Sequence, residues 1–355
     1  AKLILYMPWR EWGYQPIRWG ALVDLVGCPT QRLTSATSLG EFIEQNTSFL
    51  LQAQPPHAEI AILESKSNAI FLRGVEHEES LFAAQRGAYR AYWEQGFTVD
   101  FITPQILSRS TNLAYECICM PLMGLLDTEH ADLLESYVKA GGILVGFSRC
   151  ATLDEKGWYH SHLPVPGLGT VFGIEHIEAD VLDHPQIELN DQKYNGWMNR
   201  DVIKPQPGTK VMASFQDGAP AVTMHKHGKG LGIYIATQAD AGFLQPAGQI
   251  LSEVIRSIGL SHKTSGRGWI EGDIPRAGGI DPHILQTEQR TMVLFSNYLE
   301  KDTTVNFHIT LPNMEPSRIV EIFPAQAGLE WSITDNDLKI TLQFGKKEAK
   351  VIEIT

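Results

Sequence analysis

Short, mostly apolar strands separated by helices constrain the fold of this chain more than any other feature. The sequence predicts strands at 58–63 (AEIAIL), 97–102 (FTVDFI), 116–122 (ECICMPL) and 143–147 (ILVGF), with helices at 78–96 and 127–142. A strand without polar alternation is buried on both faces, which is typical of a parallel sheet that helices cover. The middle of the chain is therefore predicted to be a doubly wound α/β domain of the flavodoxin-like kind.

The flanking segments have other patterns. Residues 35–51 show helical spacing, and Pro55-Pro56 then breaks the chain. After a polar linker at 261–268, short alternating segments with turns between them continue to the last residue, which predicts a small all-β domain like a sandwich. The predicted division is 1–54, 55–262 and 263–355.

Composition excludes several classes of protein. The formal net charge of the 355 residues is -12, and no Lys/Arg cluster appears, so nucleic acid is not an expected partner. No apolar run approaches the ~18 residues of a membrane span, and the first apolar run is too short for a secretory signal. The four cysteines lie in apolar settings and are predicted to be reduced thiols of a cytoplasmic protein.

Motifs for catalysis are weak. The connection after the first strand has no dinucleotide-binding or Walker A pattern. Amidotransferase-like domains place a nucleophile at a sharp strand-to-helix turn, but the turn after ECICMPL reads MGLLDTEH. Cys119 and Cys150 are the remaining candidates for an independent amidotransferase-like enzyme, and this is the weakest hypothesis.

Two histidine-rich segments leave alternatives open. His225 and His227 share one face of a strand, as in a metal site, but Gly-Lys-Gly follows as in a solvated hairpin tip. HSH at 160–162 follows Trp158 and Tyr159 in a loop that is either a binding or oligomer surface or a satellite hydrophobic cluster. We predict neither a metal nor a cofactor.

The first stretch, AKLILYMPWREWGYQPIRWGALVD, joins an apolar strand to a loop rich in Trp and Arg. Trp9-Arg10, the loop at 11–20 and the run from Gly20 to Pro29 resemble the end of the (β/α)8 barrel in glycoside hydrolase family 42, the β-galactosidases. YVKAGGILV (137–145), HGKGLGIYIAT (227–237) and TMVLFSNYL (291–299) also resemble that family, so the resemblance covers essentially the whole chain.

The resemblance implies a barrel end, then an amidotransferase-like domain that mediates trimer formation, then a C-terminal β domain. In the family, two glutamates hydrolyse terminal β-galactosides with retention, and both would precede residue 1, so no catalytic residue is assigned. A lone barrel strand needs neighbours for its backbone groups, so a companion barrel chain or a missing N-terminal segment is expected.

The resemblance also places residues at one edge of a sugar pocket. These are Trp9, Arg10, Trp12 and Gln15. Gln15 stands where the family has a sugar-binding Glu, and Arg18 or Trp19 stands near the family's His, so this loop departs from the pattern. Trp and Arg suit sugars through stacking and hydrogen bonds, whereas plain core packing is the other explanation for the Trp residues.

Two functional hypotheses follow from the resemblance. The chain is part or a subunit of a β-galactosidase, which serves assembly as a homotrimer and contributes one edge of a pocket for a galactoside-type sugar. Alternatively, it is a non-catalytic carbohydrate-binding or scaffold protein derived from such an enzyme.

Overall fold

A computed structural model describes residues 9–10, 20–75, 77–109, 114–162, 164–165, 167–181, 184–244, 249–260, 268–272, 274–311, 316–326 and 328–355. The first apolar run, nearly all of the loop at 11–20 and nearly all of the linker at 261–268 lie outside these residues. The chain divides into two compact units, His57–Trp269 and a second unit made of Ala1–Pro56 with Ile270–Thr355.

Within the described residues the helices are α1 (Gln31–Gln45), α2 (Thr47–Gln52), α3 (Lys66–Gly74), α4 (Glu78–Trp93), α5 (Pro104–Arg109), α6 (Thr128–Ala140), α7 (Leu168–Phe172), α8 (Ala239–Gly242) and α9 (Ile250–Ser257). The strands are β1 (Ile60–Leu63), β2 (Val99–Ile102), β3 (Cys117–Met120), β4 (Ile143–Phe147), β5 (Ile174–Val181), β6 (Gln186–Leu189), β7 (Gln192–Asn195), β8 (Asn199–Pro205), β9 (Lys210–Phe215), β10 (Pro220–His227), β11 (Gly230–Ile235), β12 (Gly268–Ile270), β13 (Ile280–Gln286), β14 (Thr291–Asn297), β15 (Thr303–Thr310), β16 (Ile319–Phe323), β17 (Ala325–Gln326), β18 (Glu330–Thr334), β19 (Asp337–Phe344) and β20 (Ala349–Ile354).

The His57–Trp269 unit is built on a mixed nine-stranded sheet of order β2-β1-β3-β4-β11-β10-β9-β6-β7. The first five strands in that order pair in parallel, and the remaining pairs are antiparallel. Every residue of β1, β3 and β4 is buried, as the apolar sequences predict. The predicted parallel strands are therefore present. Antiparallel strands, which were not predicted as part of this sheet, extend it on one side.

Helices of this unit begin and end where local chemistry favours it. The Asp127 carboxylate accepts the N–H of His130 at 2.8 Å and caps α6, which ends at Gly141 with φ 129°. Ser65 caps α3 in the same way through the N–H of Asn68. Helix α4 packs with α3, α8 and α9, and helix α6 packs with α5 and α7.

The other unit joins both ends of the chain. A five-stranded sheet (β13-β14-β20-β16-β17) and a four-stranded sheet (β12-β15-β19-β18) share one apolar core that includes Phe295 and Phe307. Helices α1 and α2 pack on β14 and β20 through a cluster of Phe42, Phe49, Ala53, Met292 and Val351.

Arg290 contacts α2 and the residue before it. Its guanidinium lies 4.7 Å from the centre of the Phe49 ring and donates to Asn46 Oδ1 at 2.8 Å. Residues 1–56 and 270–355 therefore form one compact unit. The division of the chain into three domains stays a prediction.

The elements missed by sequence reasoning have polar or broken patterns. Residues 148–218 contain β5 to β9, in which many positions are polar, and β13 contains Pro282. Pro is confined to edge strands, and β13 is the edge of its sheet. Helix α3 occupies what the sequence analysis treated as a connection. None of the helices in the described ranges has the length and apolarity needed to cross a bilayer.

Candidate functional site

Trp9 and Arg10 are the predicted sugar-contacting residues that the structure describes. The N–H of Val23 donates to the Trp9 carbonyl at 3.0 Å, and Arg10 forms a parallel bridge with the same Val23. The Arg10 guanidinium donates through Nε, at 3.0 Å, and through Nη2 to the backbone carbonyl of Leu25. Arg10 is therefore held in place by backbone, while the Trp9 side chain is 62% exposed.

The segment opposite Trp9 and Arg10 is closed by its own hydrogen bonds. Asp24 Oδ1 accepts the N–H groups of Val26, at 3.0 Å, and Cys28, at 2.7 Å. Gly27 has φ 92°, which favours glycine in this turn. The turn presents Leu25 and Val26 to solvent beside the exposed Trp9.

Trp12 and Gln15 lie outside the described residues. The structure describes the backbone before this loop at residues 9–10 and after it from residue 20 onward. That the four residues line one edge of a sugar pocket stays a prediction.

The turn after β3 is where an amidotransferase-like domain would carry its nucleophile. Leu122 stands there with φ 38°, in the left-handed region that a leucine seldom adopts, and it is 9% exposed. Its N–H donates to Asp240 Oδ2 at 3.0 Å, and its carbonyl accepts from Asn68 Nδ2 at 3.0 Å. The residue in this left-handed conformation is a leucine, whose side chain has no nucleophilic group.

Asp240 is the most unusual titratable group at this edge of the sheet. Its carboxylate is fully buried and accepts the N–H groups of Leu122 and Ala241. Burial raises the pKa of Asp240 to about 6, although these backbone hydrogen bonds act in the opposite direction. The described contacts give this carboxylate the role of holding backbone in place.

The two cysteine candidates do not have the surroundings of a nucleophile. Cys119 and Cys150 are free thiols with exposures of 0% and 1%. Burial raises the pKa of both thiols, with nearby Asp240 adding to the effect, so the reactive thiolate is disfavoured. This environment argues against the amidotransferase-like hypothesis.

A second buried network lies at the end of β4. Asp201 accepts from Ser148 Oγ at 2.8 Å, from the N–H of Arg149 at 2.9 Å and from the Tyr234 hydroxyl. Asn199 Nδ2 donates in turn to Ser148 Oγ. The Ser148 hydroxyl proton is directed at a carboxylate that also holds backbone, so this network fixes the loop after β4.

His225 and His227 have different hydrogen-bond partners. His227 Nε2 lies 3.0 Å from Glu135 Oε1 on α6, whereas His225 Nδ1 lies 3.0 Å from Thr209 Oγ1. Desolvation lowers the pKa of His225. Among the described residues, no group of three or more His, Cys, Asp or Glu side chains is arranged to hold a metal ion.

Sequence reasoning missed the buried polar residues Asn68, Asp201 and Asp240. A signal was available for Asp240, because TQADAG follows directly after the apolar strand at 230–236. Polar residues just beyond the carboxyl end of a parallel strand are candidates for a site at that edge. For Asn68 and Asp201 no comparable signal exists, because Asn68 lies within α3 and Asp201 lies within the partly polar strand β8.

Comparison with known protein families gives one match. Residues 58–261 match the model of the β-galactosidase trimerisation domain. The matched range contains the nine-stranded sheet and its helices, so the match concerns the larger unit.

Curated relatives are β-galactosidases. β-Galactosidase Pbg of Clostridium perfringens is 24% identical over 327 residues, which are 86% of this chain and 45% of that protein. β-Galactosidase BgaB of a Geobacillus species is 28% identical over 211 residues, 56% of this chain and 30% of that protein. The chain thus spans less than half the length of these two relatives.

Solved structures with the same fold extend to both units. Gan42B of Geobacillus stearothermophilus, a family 42 β-galactosidase, matches 99% of this chain and 48% of its own with a TM-score of 0.76 and 22% identity. The β-galactosidase of Bacillus circulans sp. alkalophilus matches 98% of this chain and 49% of its own, with a TM-score of 0.72 and 17% identity.

Proposed function

This chain belongs to glycoside hydrolase family 42, the β-galactosidases, and on that premise we propose that it is the assembly portion of a β-galactosidase that also forms one edge of the sugar pocket. The match of residues 58–261 to the trimerisation domain carries the proposal. The proposed reaction is the hydrolysis of terminal β-galactosides by a retaining mechanism with two glutamates, neither of which this chain supplies.

A barrel is the remaining requirement of this proposal. The chain covers about half of each solved relative, at 48% and 49%. We propose that a companion barrel chain or a longer form of this protein supplies the catalytic glutamates, and that the assembled enzyme is a homotrimer. Neither nucleic acid nor a membrane has a part in it.

Trp9, Arg10, Trp12 and Gln15 form the proposed edge of the pocket. The exposed indole of Trp9 offers an apolar face against which the C–H groups of a sugar stack. Arg10 uses Nε and Nη2 on the Leu25 carbonyl, and a guanidinium carries five N–H donors, so donors remain for hydroxyl groups.

The finer architecture is part of the same proposal. The parallel order β2-β1-β3-β4-β11 matches the 2-1-3-4-5 order of flavodoxin-like doubly wound sheets, which supports an amidotransferase-like domain over 55–262. Two sheets with a shared core support a sandwich at 263–355, after a barrel end at 1–54. Four free thiols, with Cys28 exposed, favour the cytoplasm.

Native mass spectrometry of the untagged protein from its own source tests the proposal. A complex that contains a barrel, and that hydrolyses a nitrophenyl β-galactoside, is the expected result. In that complex Trp9→Ala should raise KM about 10-fold or more through lost stacking, whereas Trp331→Ala, which removes an exposed Trp of β18, should leave KM unchanged.

Two results would contradict it. A homo-oligomer of 39.5 kDa chains without a barrel and without hydrolysis would exclude the enzyme and favour the scaffold or carbohydrate-binding alternative. An active complex in which Trp9→Ala and Trp331→Ala behave alike would exclude Trp9 from the pocket.

A further inference from the structure

A rigid turn in the larger unit presents two aromatic side chains to solvent. Trp158 and Tyr159, directly after the turn 154–157, are 73% and 72% exposed. Asp154 Oδ1 accepts the N–H groups of Lys156 and Trp158, both at 2.9 Å, and the Asp154 N–H donates to the Trp158 carbonyl at 2.8 Å. The two rings are therefore carried by a closed turn, and their backbone needs little ordering on binding.

Gly157 and Phe71 fix where this turn lies. Gly157 has φ 82°, and a Cβ at this position would lie 2.8 Å from Cε2 of Phe71 on α3. The turn is thus pressed against α3, where Ile70 is 63% exposed. Trp158, Tyr159 and Ile70 are named here the turn face.

A second aromatic surface lies on the edge of the sheet. β2 is at the end of the strand order, and Phe101 of β2 is 44% exposed. The Tyr89 ring of α4 stacks with Phe101 at 6.0 Å and with Trp93 at 6.3 Å between ring centres. Phe82 of the same helix is 52% exposed. Phe101, Tyr89, Trp93 and Phe82 are named the edge face.

We propose that the turn face of one copy of this chain packs against the edge face of the next copy. The inference rests on the homotrimer of the proposed function and identifies its contact surfaces. A cyclic trimer is closed by a heterologous contact, so each copy must supply two different surfaces. Both faces lie within residues 58–261, which match a trimerisation domain.

The chemistry of the two faces fits a contact between copies. Trp and Tyr are the residue types that most often dominate binding energy at interfaces, and the residues of the edge face are aromatic as well. The turn follows β4, whereas the edge face includes β2, which is three positions away in the strand order. The two faces therefore belong to different regions of the sheet, as a ring requires.

Sedimentation velocity on the wild-type chain, Trp158→Glu, Phe101→Glu and their equimolar mixture tests the proposal. We expect a wild-type trimer of 39.5 kDa chains and about 30-fold or more weaker self-association for each variant. The mixture should form 1:1 dimers and no trimers. Trp158→Glu keeps an intact edge face and Phe101→Glu keeps an intact turn face, so only one contact between the two variants is possible.

Trp331→Glu is the matched control, because it places the same charge at an exposed Trp of the other unit. It should remain trimeric. Thermal unfolding of each variant shows whether the fold is kept, and a Trp158→Ala and Phe101→Ala pair replaces the Glu pair if it is not.

Several results would overturn the inference. Trimers of Trp158→Glu or of Phe101→Glu, or a mixture that stays monomeric beside a trimeric wild type, would refute the pairing of faces while leaving the proposed homotrimer intact. A monomeric wild type would refute the homotrimer itself. If galactan then retarded the wild type in affinity electrophoresis but not Trp158→Glu, the turn face would be a saccharide surface.

Discussion

Asp240 gives the sharpest prediction about stability. Its pKa is raised to about 6 by burial, from an ordinary value of 3.8, so the native state binds this proton more tightly than the unfolded chain does. A carboxyl group whose folded-state pKa is raised lowers the free energy of unfolding as pH rises. The loss begins near the unfolded pKa and is complete above about pH 6.

The magnitude follows from the two pKa values. A difference of about two units corresponds to about 3 kcal/mol at 1.36 kcal/mol per unit. Because the unfolded chain begins to release the proton below about pH 4, about 2 kcal/mol of this total falls between about pH 4.5 and about pH 7.5. The Asp240 carboxylate is fully buried, so solvent does not screen the effect.

Urea unfolding of the wild type and Asp240→Asn at several pH values measures this slope. Asn leaves an amide facing one of the two N–H donors, so a constant loss of about 1–3 kcal/mol is expected as well. The difference between the two curves should change by about 2 kcal/mol across the pH range, because only the wild type carries the titrating group.

Asp191→Asn is the control, because it makes the same change of side chain at an exposed carboxylate. Parallel curves for the wild type and Asp240→Asn would refute the reasoning. They would mean that Asp240 binds its proton equally well in the folded and unfolded chain.

Three further predictions concern burial and backbone. Lys350→Met should lower the free energy of unfolding by about 3–5 kcal/mol, because Glu321 loses a buried partner at 2.7 Å; the double variant with Glu321→Leu should recover most of it in urea titrations. One thiol per chain should react with an aromatic disulfide reagent in the native state, and Cys28→Ser should abolish this reaction, because the other three thiols are buried. Gly228→Ala should be more destabilising in thermal unfolding than Gly218→Ala; both have positive φ, but only at Gly228 does a Cβ meet backbone, at 2.7 Å.

The parallel core of the larger unit was predictable because burial on both faces leaves a direct trace in the sequence. ILVGF was predicted at 143–147, and β4 has the same limits. The hairpin whose tip was predicted at Gly-Lys-Gly appears as β10 and β11, because these turn residues separate two apolar strands. The secondary structure of these segments can be predicted from the local sequence pattern alone.

The buried polar residues were not predictable in the same way. Asp240 acts on Leu122, which is 118 positions away, and Asp201 acts on Arg149, 52 positions away. A hydrogen bond between distant segments leaves no periodic pattern. The place of Asp240 after a parallel strand makes it a candidate, but only the folded chain reveals that its partner is Leu122. The loop of the predicted sugar site falls largely outside the described residues, so the sequence argument for it stands alone.

The turn at Leu122 links the buried residues Asp240 and Asn68 with the loop that leads to the turn face. A left-handed conformation costs a residue such as leucine about 1–2 kcal/mol, and here Asp240 and Asn68 bond both polar backbone groups of Leu122. The next residues support the loop after β4, because the Met123 carbonyl accepts the N–H of Ala151 at 2.7 Å.

That loop leads directly to the turn that carries Trp158 and Tyr159. The Gly124 carbonyl accepts the N–H of Leu153 at 3.0 Å, one residue before Asp154 closes the turn. The residues after Leu122 thus support the loop that carries the turn face. Buried hydrogen bonds to Asp240 and Asn68 hold the strained backbone of Leu122, and the proposed contact between copies requires such a rigid support for the turn face.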